Sequence, residues 1–202
     1  MIEPGLLDGI PALADVPAAS RSALAERARE TTFEADERLE PLLNPPSRLL
    51  FLLEGLAKMV GVSANGLERI VYVFRPGDIT GARALIEEGR EAAYEIVAME
   101  PVRALAVSKR DFLAIAESHP ELIVSVTREF TRRLERLAER MLSAMSAEVP
   151  VRLSELLLDF AAGGDGVFVP LTHPLTHSSM AQIIGASRPH TSTVLRDLEE
   201  AG

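Results

Sequence analysis

Arg188 follows Ser187 and leads into Pro189, His190, Thr191, Ser192 and Thr193. These residue types can handle nucleic acid. A guanidinium can donate two hydrogen bonds to guanine O6 and N7, worth about 1–3 kcal/mol of discrimination between bases. Hydroxyl and imidazole groups beside it can hold phosphates. That chemistry needs the arginine at the entering end of a helix, and the flanking residues supply one. Met180, Ala181, Ile183 and Ile184 recur at helical spacing behind Thr176, a suitable N-cap. Gly185 follows where the chain must reverse with φ above zero. Ser187 then caps a second helix with Val194, Leu195 and Leu198 on its apolar face, and small Ala181 lets the two helices approach. Helix, tight glycine turn and helix together put the second helix in a major groove. The candidate DNA contacts are Ser187, Arg188, His190, Ser192, Thr193 and Arg196, with Thr191 among them. A plain helical hairpin with Arg188 as a solvated charge is the alternative.

Other chemistries find little support. The chain of 202 residues has no cysteine, which excludes disulfides, thiolate metal sites and cysteine-ligated iron–sulfur clusters. The HExxH, P-loop, dinucleotide-glycine and GxSxG patterns are all missing, so an enzyme is not expected. Glu87-Glu88 reads as a solvated turn. Of the four histidines, His119, His173, His177 and His190, only His173 and His177 have ligand-like spacing, and Pro174 interrupts it. No cofactor and no metal are expected. No apolar run approaches the roughly 20 residues of a membrane span, and the N-terminus carries no signal-like pattern, so a cytoplasmic location is expected. Net charge is −9. From Pro150 onward Arg152, Arg188 and Arg196 face Glu155, Asp159, Asp165, Asp197, Glu199 and Glu200. DNA affinity comes mainly from neutralised phosphates, so this segment alone should bind weakly.

The elements that would carry the reader can also be traced. Residues 1–30 read as mainly helical, with Ser20 as a cap. From Thr32 to about Lys109, short β-rich runs alternate with turn signals at Asn44-Pro45-Pro46, Asn65-Gly66, Pro76-Gly77 and Glu88-Gly89, the pattern of an antiparallel sandwich or barrel. Asn65-Gly66 is a hairpin signal. Residues 108–122 read as two short helical turns. A long helix follows from about Pro120 to Ala147. On it Ile123, Thr127, Phe130, Leu134, Leu137, Met141 and Ala144 alternate spacings of four and three, as in a coiled-coil seam. Arg128, Arg132, Arg133, Arg136 and Arg140 with Glu129, Glu135 and Glu139 form its solvated flanks. The alternative is a helix packed on its own sheet. Glu148-Val149-Pro150 is a hinge before a helix with Leu153, Leu156, Leu157 and Phe160 inside, ended by Gly163-Gly164. Val167-Phe168-Val169 is a short strand.

Several of these segments together resemble the Crp/Fnr family of regulators. Leu175-Thr176-His177, Ala181, Gly185, Ser187-Arg188 and the run 194–202 match its helix-turn-helix. Residues 33–39, 48–55 and 75–85 match its cyclic-nucleotide-binding β-roll, with departures from turn glycines at Asp36 and Leu43. The resemblance implies an α+β fold: an antiparallel β-roll sensor (a double-stranded β-helix) over 1–118, a dimerisation helix over 119–147, and a winged helix-turn-helix over 148–202. The family continues into a basic wing, so this reading leaves open a wing truncated at, or absent beyond, Gly202. Arg188 inherits a guanine-reading role. Pro189 and Thr193 replace a glutamate and a second base-reading arginine, which implies a different operator.

In the resembled family a glutamate, an arginine and a serine hold the effector phosphate. Here Gly81 is kept, Ala82 takes the glutamate position, and Ala92 and Ala93 take the other two. Only Arg83 or a shifted Arg90 could supply a cation. Tyr94 completes the candidate effector pocket. Cyclic AMP is therefore not the expected effector; an unknown small-molecule effector, or none, is. The expected partners are double-stranded DNA, a second copy of the chain and, from the resemblance, RNA polymerase. A small-molecule module of the same fold with weak or lost DNA binding is the alternative.

Overall fold

A computed structural model of the chain describes residues 4–40, 47–62, 66, 68–86, 94–161 and 171–201. Two 3-10 turns, Pro4–Leu7 and Pro11–Leu13, lead into helix α1 (Ala18–Arg27). Pro17, not Ser20, occupies the N-cap. Ala18 and Ala19 are strong helix formers, so the helix starts before Ser20. That leaves Ser20 buried inside it, where its hydroxyl donates to Glu121 and meets His119 Nδ1 at 3.0 Å.

The strands follow: β1 (Arg29–Phe33), β2 (Arg38–Glu40), β3 (Arg48–Glu54), β4 (Ala57–Val62), β5 (Glu68–Phe74) and β6 (Ile79–Thr80). Short helix α2 (Ala82–Ile86) precedes β7 (Tyr94–Ala98) and β8 (Val102–Ser108). They form two four-stranded sheets, ordered β1-β8-β3-β6 and β2-β7-β4-β5. The β1–β8, β3–β8, β3–β6, β2–β7 and β4–β7 pairs are antiparallel. This is the antiparallel β-roll expected. Asp36, where a turn glycine is usual, itself adopts φ 66°, a conformation Asp tolerates better than most residues. Gly66 has φ 78° between β4 and β5, as the hairpin signal requires. Asn65 and Leu43 lie outside the described residues, as do the expected Gly163-Gly164 stop and the strand at 167–169.

Helix α3 (Lys109–Ser118) is one continuous helix rather than two turns. Ser108 caps it by accepting from Asp111 N–H at 3.0 Å. His119 ends it, and α4 (Glu121–Ser146) begins at once. Helices α5 (Val149–Phe160), α6 (His177–Ile184) and α7 (Arg188–Ala201) complete the chain. By its contacts the chain divides into two compact units, 1–62 with 71–135 and 63–70 with 136–202, so the division falls within α4.

In the first unit, Leu49 and Phe51 of β3, Ile79 of β6, and Leu105 and Val107 of β8 are buried. They pack with Leu7, Ile10 and Leu13 of the N-terminal turns, Leu24 of α1, Phe112 of α3, and Leu122 and Val126 of α4. One sheet face is apolar and is covered by helices, as a two-layer fold needs. Helix α4 buries Leu122, Ser125, Val126, Glu129 and Arg133. Glu129 and Arg133 are thus not the solvated flank expected. The period of 3.6 gives α4 two stripes at spacings of four and three, and the sheet takes the one that includes this pair. The other stripe stays open: Ile123, Thr127, Leu134, Met141 and Ala144 are exposed, Leu137 is partly exposed, and Phe130 packs partly against the unit's own core.

Candidate nucleic-acid interface and sensor site

The second unit assembles the candidate reader from α5, α6 and α7, which pack on one another. Thr176 caps α6 by accepting from Ser179 N–H at 3.1 Å. Gly185 closes the helix at φ 69°, where its N–H reaches Ala181 carbonyl. Met180, Ala181 and Ile184 are buried on α6, with Val194 on α7 and Leu153, Leu156 and Phe160 on α5; Leu157 is only partly buried. The Arg152 guanidinium of α5 donates to Ile184 carbonyl, an orphan acceptor at the end of α6. Arg140 of α4 meets Asp159 at 2.7 Å, and Ser143 donates to Glu155 at 2.7 Å, tying the end of α4 to α5 across the hinge.

On α7 the candidate contacts fall into distinct environments. Ser187 caps the helix, accepting from His190 N–H at 3.3 Å. Ser187, Arg188, His190, Thr193 and Arg196 are exposed. Arg188 makes no ion pair or hydrogen bond among the described residues, so its fork of donors is available. Ser192 is partly buried and shares a hydrogen bond of 2.9 Å with His177 Nδ1, joining α7 to α6. Thr193 hydroxyl donates back to Pro189 carbonyl at 3.2 Å. Arg196 lies 4.0 Å from Asp197 and 3.9 Å from Glu200. Thr191 cannot contact DNA: it is fully buried, and its hydroxyl bonds Ser187 carbonyl at 3.0 Å.

The sensor unit gathers polar groups that sequence reading missed. Glu40 is buried at the end of β2, and its carboxylate accepts from Thr80 hydroxyl and Gly81 N–H. Burial pushes its carboxyl above the usual range, against the opposing pull of those donors and of Arg83 and Arg133. Gly81 sits at φ 90°, and a Cβ there would strike the Arg48 carbonyl. Arg83 is partly buried with its guanidinium 6.0 Å from the Tyr94 ring centre. Desolvation, then the Glu40 charge, raise the Tyr94 phenol above its ordinary value. Arg133 donates to Ile79 carbonyl, lies 4.0 Å from Glu129, and stacks over Phe74, Tyr72 and Phe130 at 4.7, 5.1 and 5.5 Å. Of the expected effector pocket, Gly81, Arg83 and Tyr94 come to this cluster. The Ala82 side chain, Arg90, Ala92 and Ala93 lie outside the described residues.

Strand alternation hid Glu40. Leu39 is buried, so Glu40 should point outward; instead the register of β2 against β7 shifts between Arg38 and Glu40, a bulge that buries both Leu39 and Glu40.

A β-roll followed by a long helix and a helix-turn-helix defines a class of sensor-linked transcription regulators. Residues 30–119 match the family Cyclic nucleotide-binding domain, and residues 151–202 match the Crp-like helix-turn-helix domain. The chain is similar to the CRP-like cAMP-activated global transcriptional regulator of Mycobacterium tuberculosis: 26% identical over 161 residues, 78% of this chain and 71% of that one. It is 25% identical over 158 residues to the cAMP-activated global transcriptional regulator CRP of Salmonella typhimurium, covering 75% of this chain and 73% of that one. The fold matches that of the c-di-GMP responsive global regulator CLP of Xanthomonas campestris, with TM-score 0.76, 14% identity and coverage of 92% and 93%. It also matches a CRP/FNR family transcriptional regulator of Thermus thermophilus, with TM-score 0.69, 23% identity and coverage of 86% and 87%. The chain belongs to the Crp/Fnr family of transcription regulators. The family's members are regulators, not enzymes. Among the described residues no helix is long and apolar enough to cross a membrane.

Proposed function

We propose that the chain works as a cytoplasmic homodimer that reads DNA through α7 and that cyclic AMP does not govern it. The observation that carries DNA readout is Arg188: exposed in the first turn of α7, with no ion pair among the described residues, and with His190 and Thr193 also exposed on that helix. A two-fold pair of such helices, about 34–36 Å apart, fits successive major grooves. The open stripe Ile123, Thr127, Leu134, Leu137, Met141 and Ala144 supports pairing through α4, because lone water-facing apolar rows of this length are covered in stable assemblies. Phe130 contributes only its exposed part. The domain limits of 1–118, 119–147 and 148–202 belong to the same reading.

Against cyclic AMP stands the alanine at 82, where the family's phosphate-binding pattern has a carboxylate. Control falls to another small molecule or to none, with RNA polymerase as the downstream partner. A second reading, a sensor with weak DNA binding, draws on one observation: Arg152 and Arg196 are engaged by Ile184 and by Asp197 with Glu200, which leaves few cations on the reader. A mobility-shift assay with operator DNA selected from random sequence, run at two salt concentrations, separates the two. Retarded complexes that weaken steeply with salt support the regulator. Absence of any complex at low salt supports the second reading.

A further inference from the structure

Glu40 is 2% exposed and Arg133 7% exposed, two buried charges on different elements of one unit. A buried charge persists only when it is paired and hydrogen-bonded. Glu40 is served on one side by Thr80 hydroxyl and Gly81 N–H. The cations of Arg83 on α2 and Arg133 on α4 act on it, with Tyr94 beside Arg83 and Glu129 beside Arg133. Arg133 Nε–H is buried with no acceptor among the described residues, so the cluster keeps spare donor capacity. One backbone donor, one hydroxyl and two guanidiniums are the groups that would bind a phosphate or carboxylate arriving from solution.

We propose that Glu40 is the resident anion of the sensor. It supplies from within the chain the negative charge that Thr80, Gly81 N–H, Arg83 and Arg133 would otherwise offer to an anionic effector. It thereby determines specificity: the β-roll refuses phosphate- and carboxylate-bearing ligands, and Arg133 stays seated on α4 without one. The inference rests on the reading of a regulator not governed by cyclic AMP and names the residue responsible. A like charge about 6 Å away weakens anion binding by roughly a hundredfold at an effective dielectric of about 20.

The test uses the full chain. Glu40→Gln keeps size and an acceptor oxygen but removes the charge. The chain has two tyrosines and no tryptophan, and Tyr72 and Tyr94 both face this cluster, so tyrosine fluorescence reports on it directly. Cyclic AMP and inorganic phosphate are titrated in turn. The expected result is no saturable change in wild type, and saturable binding of at least one probe, tighter by a factor of about ten or more, in Glu40→Gln. Wild type binding either probe as tightly as the variant overturns the proposal, as does a folded variant that binds neither. Glu40→Ala provides a second arm through its melting temperature. Acetate, which restores the missing carboxylate, should raise it more than chloride of equal ionic strength; equal effects of the two salts overturn the proposal. Operator binding by wild type is measured separately, so loss of the regulator reading would appear there and not in the anion titrations.

Discussion

Replacing Leu134 with alanine tests whether the open stripe of α4 is a dimer seam. Leu134 is 67% exposed in the single chain. The substitution removes three carbons, about 2.4 kcal/mol at roughly 0.8 kcal/mol each if fully buried by a partner. About two-thirds of that surface is still open in the single chain, so pairing gains about 1.6 kcal/mol from it per copy. A two-fold seam uses it twice, about 3 kcal/mol per dimer, equivalent to a dissociation constant roughly 200 times larger. The fold of each chain should hardly notice, since surface substitutions usually stay within about 0.5 kcal/mol. Sedimentation equilibrium over a concentration series, with circular-dichroism melts at a dilution where both proteins are monomeric, reads both quantities. Leu122→Ala is the control: Leu122 is fully buried in the monomer, so its loss should cost about 2–5 kcal/mol of folding. A wild type that stays monomeric at every concentration, or a Leu134→Ala dimer as tight as wild type, refutes the seam.

Arg188→Ala should weaken binding to the selected operator by about 1–3 kcal/mol, measured by fluorescence anisotropy, while binding to random DNA falls far less; equal losses on both would reject base readout. Gly81→Ala should lower the melting temperature through at least about 1–3 kcal/mol of backbone strain, because φ is 90° there and the new Cβ meets the Arg48 carbonyl. Thr176→Ala should cost about 0.5–2 kcal/mol by removing the cap of α6, read by chemical denaturation. Glu40 titrates higher in the folded chain than in the unfolded one, because burial outweighs its donors and cations. The folded state therefore holds that proton more tightly. The resulting stability is fully present below the ordinary carboxylate range and fades as pH rises through the folded value. The melting temperature of wild type relative to Glu40→Gln should accordingly rise as pH is lowered from neutral; a difference independent of pH would contradict it.

The reader was legible because its signals are local. Thr176, Gly185 and Ser187 act on neighbours within a turn, and their caps and left-handed φ follow from residue type alone. The β-roll was legible from strand runs and turn residues, which are also short-range. Alternation and period state that a side exists, not what covers it. Helix α4 carries two stripes of the same spacing, and only packing against the first unit decided that Leu122, Val126, Glu129 and Arg133 go inside while Leu134 and Met141 face water. Glu40 escaped notice because a bulge in β2, a property of its pairing with β7, turned inward a residue that alternation sends out. Its partners Thr80, Arg83 and Arg133 lie 40 or more residues away from it in the chain. Long-range pairing of charges is a matter of tertiary geometry, since each residue alone reads as a solvated surface group.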